Sequence, residues 1–479
     1  MNKKTILGYA LGPIGSGFLG LISLPIITWF YSVEDVGRIS MLQVFTSFSI
    51  LFFCLGLDQA YIREYYESNN KPLLLKTVVF PSLILCVFIL ATLFIFDSYL
   101  ISYWLYDVKS SYLSIITILC FVIALLSRFL SLVLRMQERA LAFSMSQLLP
   151  KILLLLFILF TVWFGHSRNV YNLLTANTLS LCFAFVIYAW NTRVDWLPAI
   201  RLKINKEHFT DYLVFGLPLI VGGLASWGLN TADRLFLRGM ASYTELGVYS
   251  VAMSLAGVAT IIAGIFNTIW APMVYKWVST GDVDYQKIDQ ISEYVLAAIY
   301  LAVVISGLFS WVIPYFLPQE YERVQILITI CLIGPLFYTL SETTAVGIAI
   351  ARKTKLSMYA SICALFVAVI GNYLLVPLLG ATGAAISLAV SFWILYILRT
   401  EFSKRVWRKM PSSRSYIVSF ILLFFSIINI FISINSLYRY LLWCGCIIIG
   451  ICIFKKLILS VFNNLKKLVR KKKICDTNL

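Results

Sequence analysis

Six ionisable side chains stand within or at the ends of long apolar runs: Arg128, Lys151, Arg234, Asp58, Asp233 and Glu342. Charge inside hydrocarbon is costly, which makes such residues the first candidates for function. Arg128 lies 11 residues before Arg139, and Glu342 lies 10 residues before Arg352. At 1.5 Å per helical residue each is roughly 15 Å from its loop. Lys151 precedes thirteen uncharged, mostly apolar residues. That run is too short to span alone, so Lys151 enters the bilayer or snorkels to its edge. Arginine presents a planar fork that grips phosphate oxygens two at a time, and a cation in a wet cleft offsets part of the cost of drawing a phosphate inward. The chemistry that fits is coordination of a diphosphate. Arg128, Lys151 and Arg234, with Asn230, Gln43 and Arg63, form the candidate substrate-binding set. Glu342, Asp58 and Asp233 are the candidates for gating, or for coupling to a proton or sodium ion.

Each has a structural alternative. Arg128 and Glu342 could pair with one another and hold one conformation closed. Lys151 could be a snorkelling anchor, and Asp233 beside Arg234 an interface cap. Arg63 and Arg135 could be topology determinants, and Arg414 and the basic cluster after Arg399 are expected to be solvated. The only histidines are His166 and His208, and no Cys or His spacing suits a metal. No glycine-rich loop ends in Lys-Ser or Lys-Thr, so no ATP hydrolysis, cofactor or catalytic residue is expected.

These residues need helices to hold them. The chain is 60% hydrophobic with a mean hydropathy of +0.88. Apolar stretches long enough for ~30 Å of hydrocarbon run over 6–30, 38–58, 77–97, 112–134, 144–164, 169–190, 210–237, 246–272, 292–317, 324–350, 356–378, 381–400, 415–434 and 437–455. The expected fold is an all-α polytopic membrane protein of about fourteen transmembrane helices. With an even number of spans, 32 of the 39 Lys and Arg residues fall on one side. The excess of positive charge predicts that this side, with both termini, is cytoplasmic. It also accounts for the net charge of +17 without nucleic acid.

A weak repeat divides the chain. Gly37 and Ser40 match Gly247 and Ser250, Pro13 matches Pro218, and Arg139 with Ser144-Met145 matches Arg352 with Ser357-Met358. Spans 1–6 (residues 1–205) and 7–12 (206–410) then form two pseudo-symmetric six-helix lobes about an axis along the membrane normal, with a cleft between them. Spans 13 and 14 (411–456) lie outside the repeat, and 457–479 reads as a basic amphipathic helix on the inner leaflet. Glycine and proline load the first and seventh spans, for bending or for close packing. Ser40, Gln43, Ser47, Cys54 and Asp58 recur on one helical face, and the counterpart reads Ser250, Ser254, Gly257, Gly264 and Thr268. Both faces should point inward.

Several segments carry a resemblance: the Gly-Pro-rich first span, Glu34–Ser40, Leu57–Tyr65, Asn230–Leu237, Leu246–Ala252, and Asn372 with Gly380–Ala385. In this order they resemble the Wzx-like O-antigen and capsule flippases, in the multidrug/oligosaccharidyl-lipid/polysaccharide exporter superfamily that also holds the MATE transporters. The resemblance implies a cationic central cavity and transfer of an undecaprenyl-diphosphate-linked oligosaccharide across the bacterial cytoplasmic (inner) membrane. It also implies a surface-polysaccharide polymerase and a chain-length regulator as partners. It maps no residue individually. A cation-coupled multidrug antiporter, a lipid II-type flippase and a membrane enzyme are the competing readings. An enzyme of this kind would be expected to show a large outer loop or an intramembrane histidine.

Overall fold

The computed structural model describes residues 3–165, 167–202, 206–280, 284–432 and 437–476. The helices are α1 (Lys3–Phe30), α2 (Val33–Phe53), α3 (Leu57–Glu64), α4 (Lys71–Phe96), α5 (Leu100–Tyr106), α6 (Ser111–Met136), α7 (Ala140–Trp163), α8 (Val170–Asn191) and α9 (Arg193–Arg201). They continue as α10 (Lys206–Met240), α11 (Tyr243–Thr280), α12 (Tyr285–Leu308), α13 (Val324–Ile350), α14 (Thr354–Leu379), α15 (Ala381–Val406), α16 (Ser413–Phe431) and α17 (Leu437–Asp476). Among the described residues there is no strand, and 14 of these helices are long and apolar enough to cross a membrane. The all-α polytopic expectation holds.

The polar residues between spans cap them. Side-chain oxygens of Ser32, Asn70, Ser110, Asn169 and Asp284 accept from the backbone N–H three residues on, at the starts of α2, α4, α6, α8 and α12. Each satisfies a donor that the first helical turn leaves free.

Two details correct the sequence reading. The span expected over 38–58 stops at Phe53, because Leu55 and Gly56 take positive φ (50° and 70°). A Cβ on Gly56 would collide with the Gly216 backbone, so glycine is required there twice over. Asp58 therefore opens α3 and does not prolong the α2 stripe. The second correction is to register. Glu138 and Arg352 both take positive φ (57° and 55°) at the ends of α6 and α13. Arg139 N bonds Leu134 O, and Lys353 N bonds Ile348 O, each at 3.0–3.1 Å. This shared C-cap places the repeat at an offset of 214 here, so Arg352 is the counterpart of Glu138, not of Arg139.

Contacts group the chain into two packing units. The first comprises 1–261, 316–321 and 361–388; the second comprises 262–315, 322–360 and 389–479. This division does not follow the 205/206 boundary of the repeat. In the first unit α1 lies on α7, where Gly8, Gly12 and Gly15 leave no room for a Cβ against Ala140, Ser144 and Leu148. Close packing is thus the role of those three glycines, as it is for small residues wherever lipid removes the hydrophobic drive between helices. In the second unit the buried Trp443 packs onto Gly307 and donates to Asn429 Oδ1 at 3.0 Å. The helix α17 continues from the last span through 476. The side chains of Thr268 and of the tail beyond Leu459 lie outside the described residues, so the interfacial reading of 457–479 remains an expectation.

Candidate functional site

The first packing unit is sealed at the end away from the basic loops, by residues that the repeat relates to one another. Ser250 Oγ donates to Ser40 Oγ at 2.8 Å, and Thr244 Oγ1 to Glu34 Oε1 at 2.9 Å. Both pairs are 210 apart in sequence. Gly37 and Gly247, also 210 apart, meet closely: a Cβ on Gly37 would strike Tyr243 O, and one on Gly247 would strike Val33 O. Tyr243 OH adds a bond to Leu105 O at 2.7 Å, and its ring lies under the guanidinium groups of Arg38 and Arg238 at 5.2 and 5.4 Å. Glu245 Oε2 accepts from Ala381 N at 2.7 Å.

Adjoining this seal is a cavity of about 530 Å³. Its wall comes from α1, α2, α7, α8, α10 and α11. Ser40 and Gln43 face it from α2, and Ser250, Ser254 and Gly257 from α11. The first residues of the two polar stripes thus share one space, while Ser47, Cys54, Asp58 and Gly264 do not line it.

Lys151 and Arg234 supply its charge. Pro150 removes a donor from α7 and frees the carbonyl of Ser146 four residues back. Tyr188 OH takes up that carbonyl at 2.7 Å, so the irregular turn survives in an apolar setting. The next residue, Lys151, reaches α1 and donates to Ser16 O at 2.7 Å. Its ammonium lies beside Gly20, where a Cβ would stand in ordinary contact with Nζ at 3.5 Å. Arg234 keeps its Nε buried and without a hydrogen-bond partner among the described residues. The wall has two cations and no carboxylate. Both cations are partly exposed, and the buried Asp233 lies electrostatically close to Arg234 behind the wall; an anion between the two cations would add the counter-charge that the wall itself lacks.

Of the six expected substrate-binding residues, Gln43, Lys151 and Arg234 meet here. The other three do not line the cavity. Asn230 is exposed and gives its amide N–H to Ser226 O at 2.7 Å. Arg63 is 56% exposed beside Glu64 and stacks on Phe215 at 4.6 Å. It lies in a separate cleft that also holds Glu67 and Asp211, a poor setting for an anion. Arg128 and Glu342 each have a partner within their own packing unit. Arg128 donates to Asp58 Oδ2 at 2.8 Å, because the break at Leu55–Gly56 places Asp58 at the head of α3, within reach of α6.

Glu342 accepts from Arg399 at 2.7 Å. Arg399, which precedes the basic cluster, is only 9% exposed, whereas Arg405, Lys409 and Arg414 within the cluster are exposed as expected. Arg408 likewise pairs with Asp289, and Arg414 with Glu293. Asp58 and Glu342 are therefore each neutralised within the protein. Asp233 differs: it is 1% exposed, Tyr249 OH donates to one of its oxygens, and the other has no partner among the described residues.

Sequence reasoning missed Asn177 and Ser180, which bring α8 to the cavity wall. Their three-residue spacing within an apolar span was the available signal.

The family model described as polysaccharide biosynthesis protein matches residues 3–277. The capsular polysaccharide biosynthesis protein CapF of Staphylococcus aureus is 22% identical over 254 residues, 52% of this chain and 64% of its own length. The match thus spans less than two thirds of that relative. Among solved structures, the lipid II flippase MurJ in an inward closed conformation aligns with a TM-score of 0.67 at 13% identity, covering 95% of this chain and 99% of its own. A Vibrio cholerae MATE transporter, the VcmN D35N mutant, aligns with a TM-score of 0.54 at 12% identity, covering 84% and 96%. At such identities these two likenesses show the fold. The chain belongs to the polysaccharide biosynthesis protein family, as a multi-pass member with the fold of the MurJ and MATE structures.

Proposed function

We propose that the chain carries an undecaprenyl-diphosphate-linked oligosaccharide, the repeat unit of an O-antigen or capsule, across the bacterial cytoplasmic membrane by alternating access. The single observation that carries this reading is the cavity with Lys151 and Arg234 on its wall and no carboxylate among its lining residues. Drug cations would call for the opposite lining. The diphosphate sits between the two cations, while Gln43, Asn177 and the serines meet sugar hydroxyls. The isoprenoid tail stays in lipid.

Substrate enters from the basic-loop side, taken as cytoplasmic together with both termini, when the lobes 1–205 and 206–410 rock. It leaves when the contacts around Gly37 and Gly247 part. A proton or sodium ion could drive the cycle through Asp233, whose buried Oδ1 has no hydrogen-bond partner among the described residues. A surface-polysaccharide polymerase and chain-length regulator would act on the product.

The test is deletion of the gene, lectin detection of surface glycan and extraction of lipid-linked sugars. Lost surface glycan with undecaprenyl-diphosphate sugar accumulating inside is expected. Unchanged glycan with altered drug sensitivity would overturn the reading.

A further inference from the structure

A second cavity, of about 500 Å³, opens in the first packing unit among α4, α6, α8 and the short helix α9. All but one of its lining residues are apolar, and the exception is Lys76. A wall of this kind suits an aliphatic chain and offers a sugar nothing.

The helix α9 sets its level in the membrane. Val194, Leu197 and Ile200, three residues apart, are 75%, 49% and 61% exposed and make one apolar outer stripe. On the groove side Trp196 lines the wall, and its Nε1 donates to Ala189 O at 2.8 Å. Short helices with an apolar stripe, flanked by arginine and tryptophan, lie in the interface plane of a bilayer. Here Arg193 and Arg201 end the helix, and Arg193 stacks on the exposed Trp190 at 4.5 Å.

Lys76 reaches from α4 to the last turn of α9. Its ammonium donates to Ile200 O at 2.7 Å and Leu202 O at 2.6 Å, carbonyls that the helix end leaves free. Of the three N–H donors on an ammonium, two are thus committed and one is left. Arg201 stands in the chain between the two acceptors and is exposed. The one carboxylate of α9, Asp195, is turned aside to accept from Gln137 Nε2 at 2.8 Å. A cationic mouth therefore tops an apolar groove at headgroup level.

We propose that this groove binds an anionic phospholipid of the basic-side leaflet, one acyl chain in the groove and the headgroup phosphate on Lys76 and Arg201. The site is separate from the polar cavity, and its occupant is a resident lipid rather than cargo. The lipid would fix α9, the connector between α8 and α10, against α4.

The test is native mass spectrometry of the full chain released from nanodiscs that contain phosphatidylglycerol and phosphatidylcholine with the same acyl chains. The wild type should retain phosphatidylglycerol about fivefold over phosphatidylcholine, the factor expected for a basic residue at an anionic surface. The double variant Lys76→Gln/Arg201→Gln should lose the preference and keep weak retention of both lipids. Leu83→Trp, which fills the groove, should lose both. Equal retention of the two lipids by the wild type, or undiminished phosphatidylglycerol on Leu83→Trp, would overturn the proposal. A photoactivatable acyl chain on phosphatidylglycerol tests it with no variant. Crosslinks on α4, α8 and α9 are expected, and crosslinks confined to other helices would contradict it.

Discussion

The two packing units treat their cations in opposite ways. In the second, Arg399, Arg408 and Arg414 each meet a carboxylate of the same unit: Glu342, Asp289 and Glu293. In the first, Arg128 is neutralised by Asp58, but Lys151 and Arg234 face a cavity with no carboxylate on its wall. A cation taken out of water needs a counter-charge. Where the protein supplies one, the pair is architecture. Where the cavity wall does not, the proposed anionic ligand would. The lesson is that burial does not by itself mark a site, since Arg399 is as deeply buried as the candidate Asp58, both 9% exposed.

Four experiments sharpen or break this contrast. The largest effect is expected from Arg399→Gln, which strands Glu342 in a mostly buried position. Breaking such a pair should cost about 3 kcal/mol. A fall in thermal unfolding temperature in detergent checks it, and Arg399→Gln/Glu342→Gln should recover most of the loss. If the single variant unfolds like wild type, the second-unit pairs are not architectural. Next, Lys151→Gln and Arg234→Gln should leave unfolding nearly unchanged but cut surface glycan roughly 10- to 150-fold, the worth of about 1.5–3 kcal/mol for hydrogen bonds to charge. Lys151→Arg should restore part of it.

Gly37→Ala should disturb the sealed end, because its Cβ meets Tyr243 O. Overpacking of this kind costs about 1–3 kcal/mol. Labelling of a cysteine at Gln43 by an impermeant reagent from the non-cytoplasmic side should rise. Unchanged labelling would show that the glycine contact is not a closure. The smallest effect is expected at Asn177→Ala, about two- to tenfold in transport for one neutral hydrogen bond, read as glycan per cell.

Much of the fold was legible in the sequence. Helices are written locally, in runs of apolar residues and in caps such as Ser32 and Asn169, so the spans could be counted. The break in α2 was not, because the positive φ at Leu55 is tolerated only where Gly216 lets two backbones meet. The site was half legible. The stripes of Ser40 with Gln43 and of Ser250 with Ser254 gave the facing walls, and the setting of Lys151 beside Pro150 gave its depth. What failed was pairing. Sequence distance cannot say that Arg128 finds Asp58 or that Glu342 finds Arg399, because each partner is set by helix packing.

The most direct test of the central claim uses gene-deletion cells carrying Lys151→Gln/Arg234→Gln at wild-type protein level, with lipid-linked sugars quantified in the inner leaflet and glycan at the surface. The account predicts diphosphate-linked oligosaccharide accumulating inside and little surface glycan. Normal surface glycan without accumulation would contradict it.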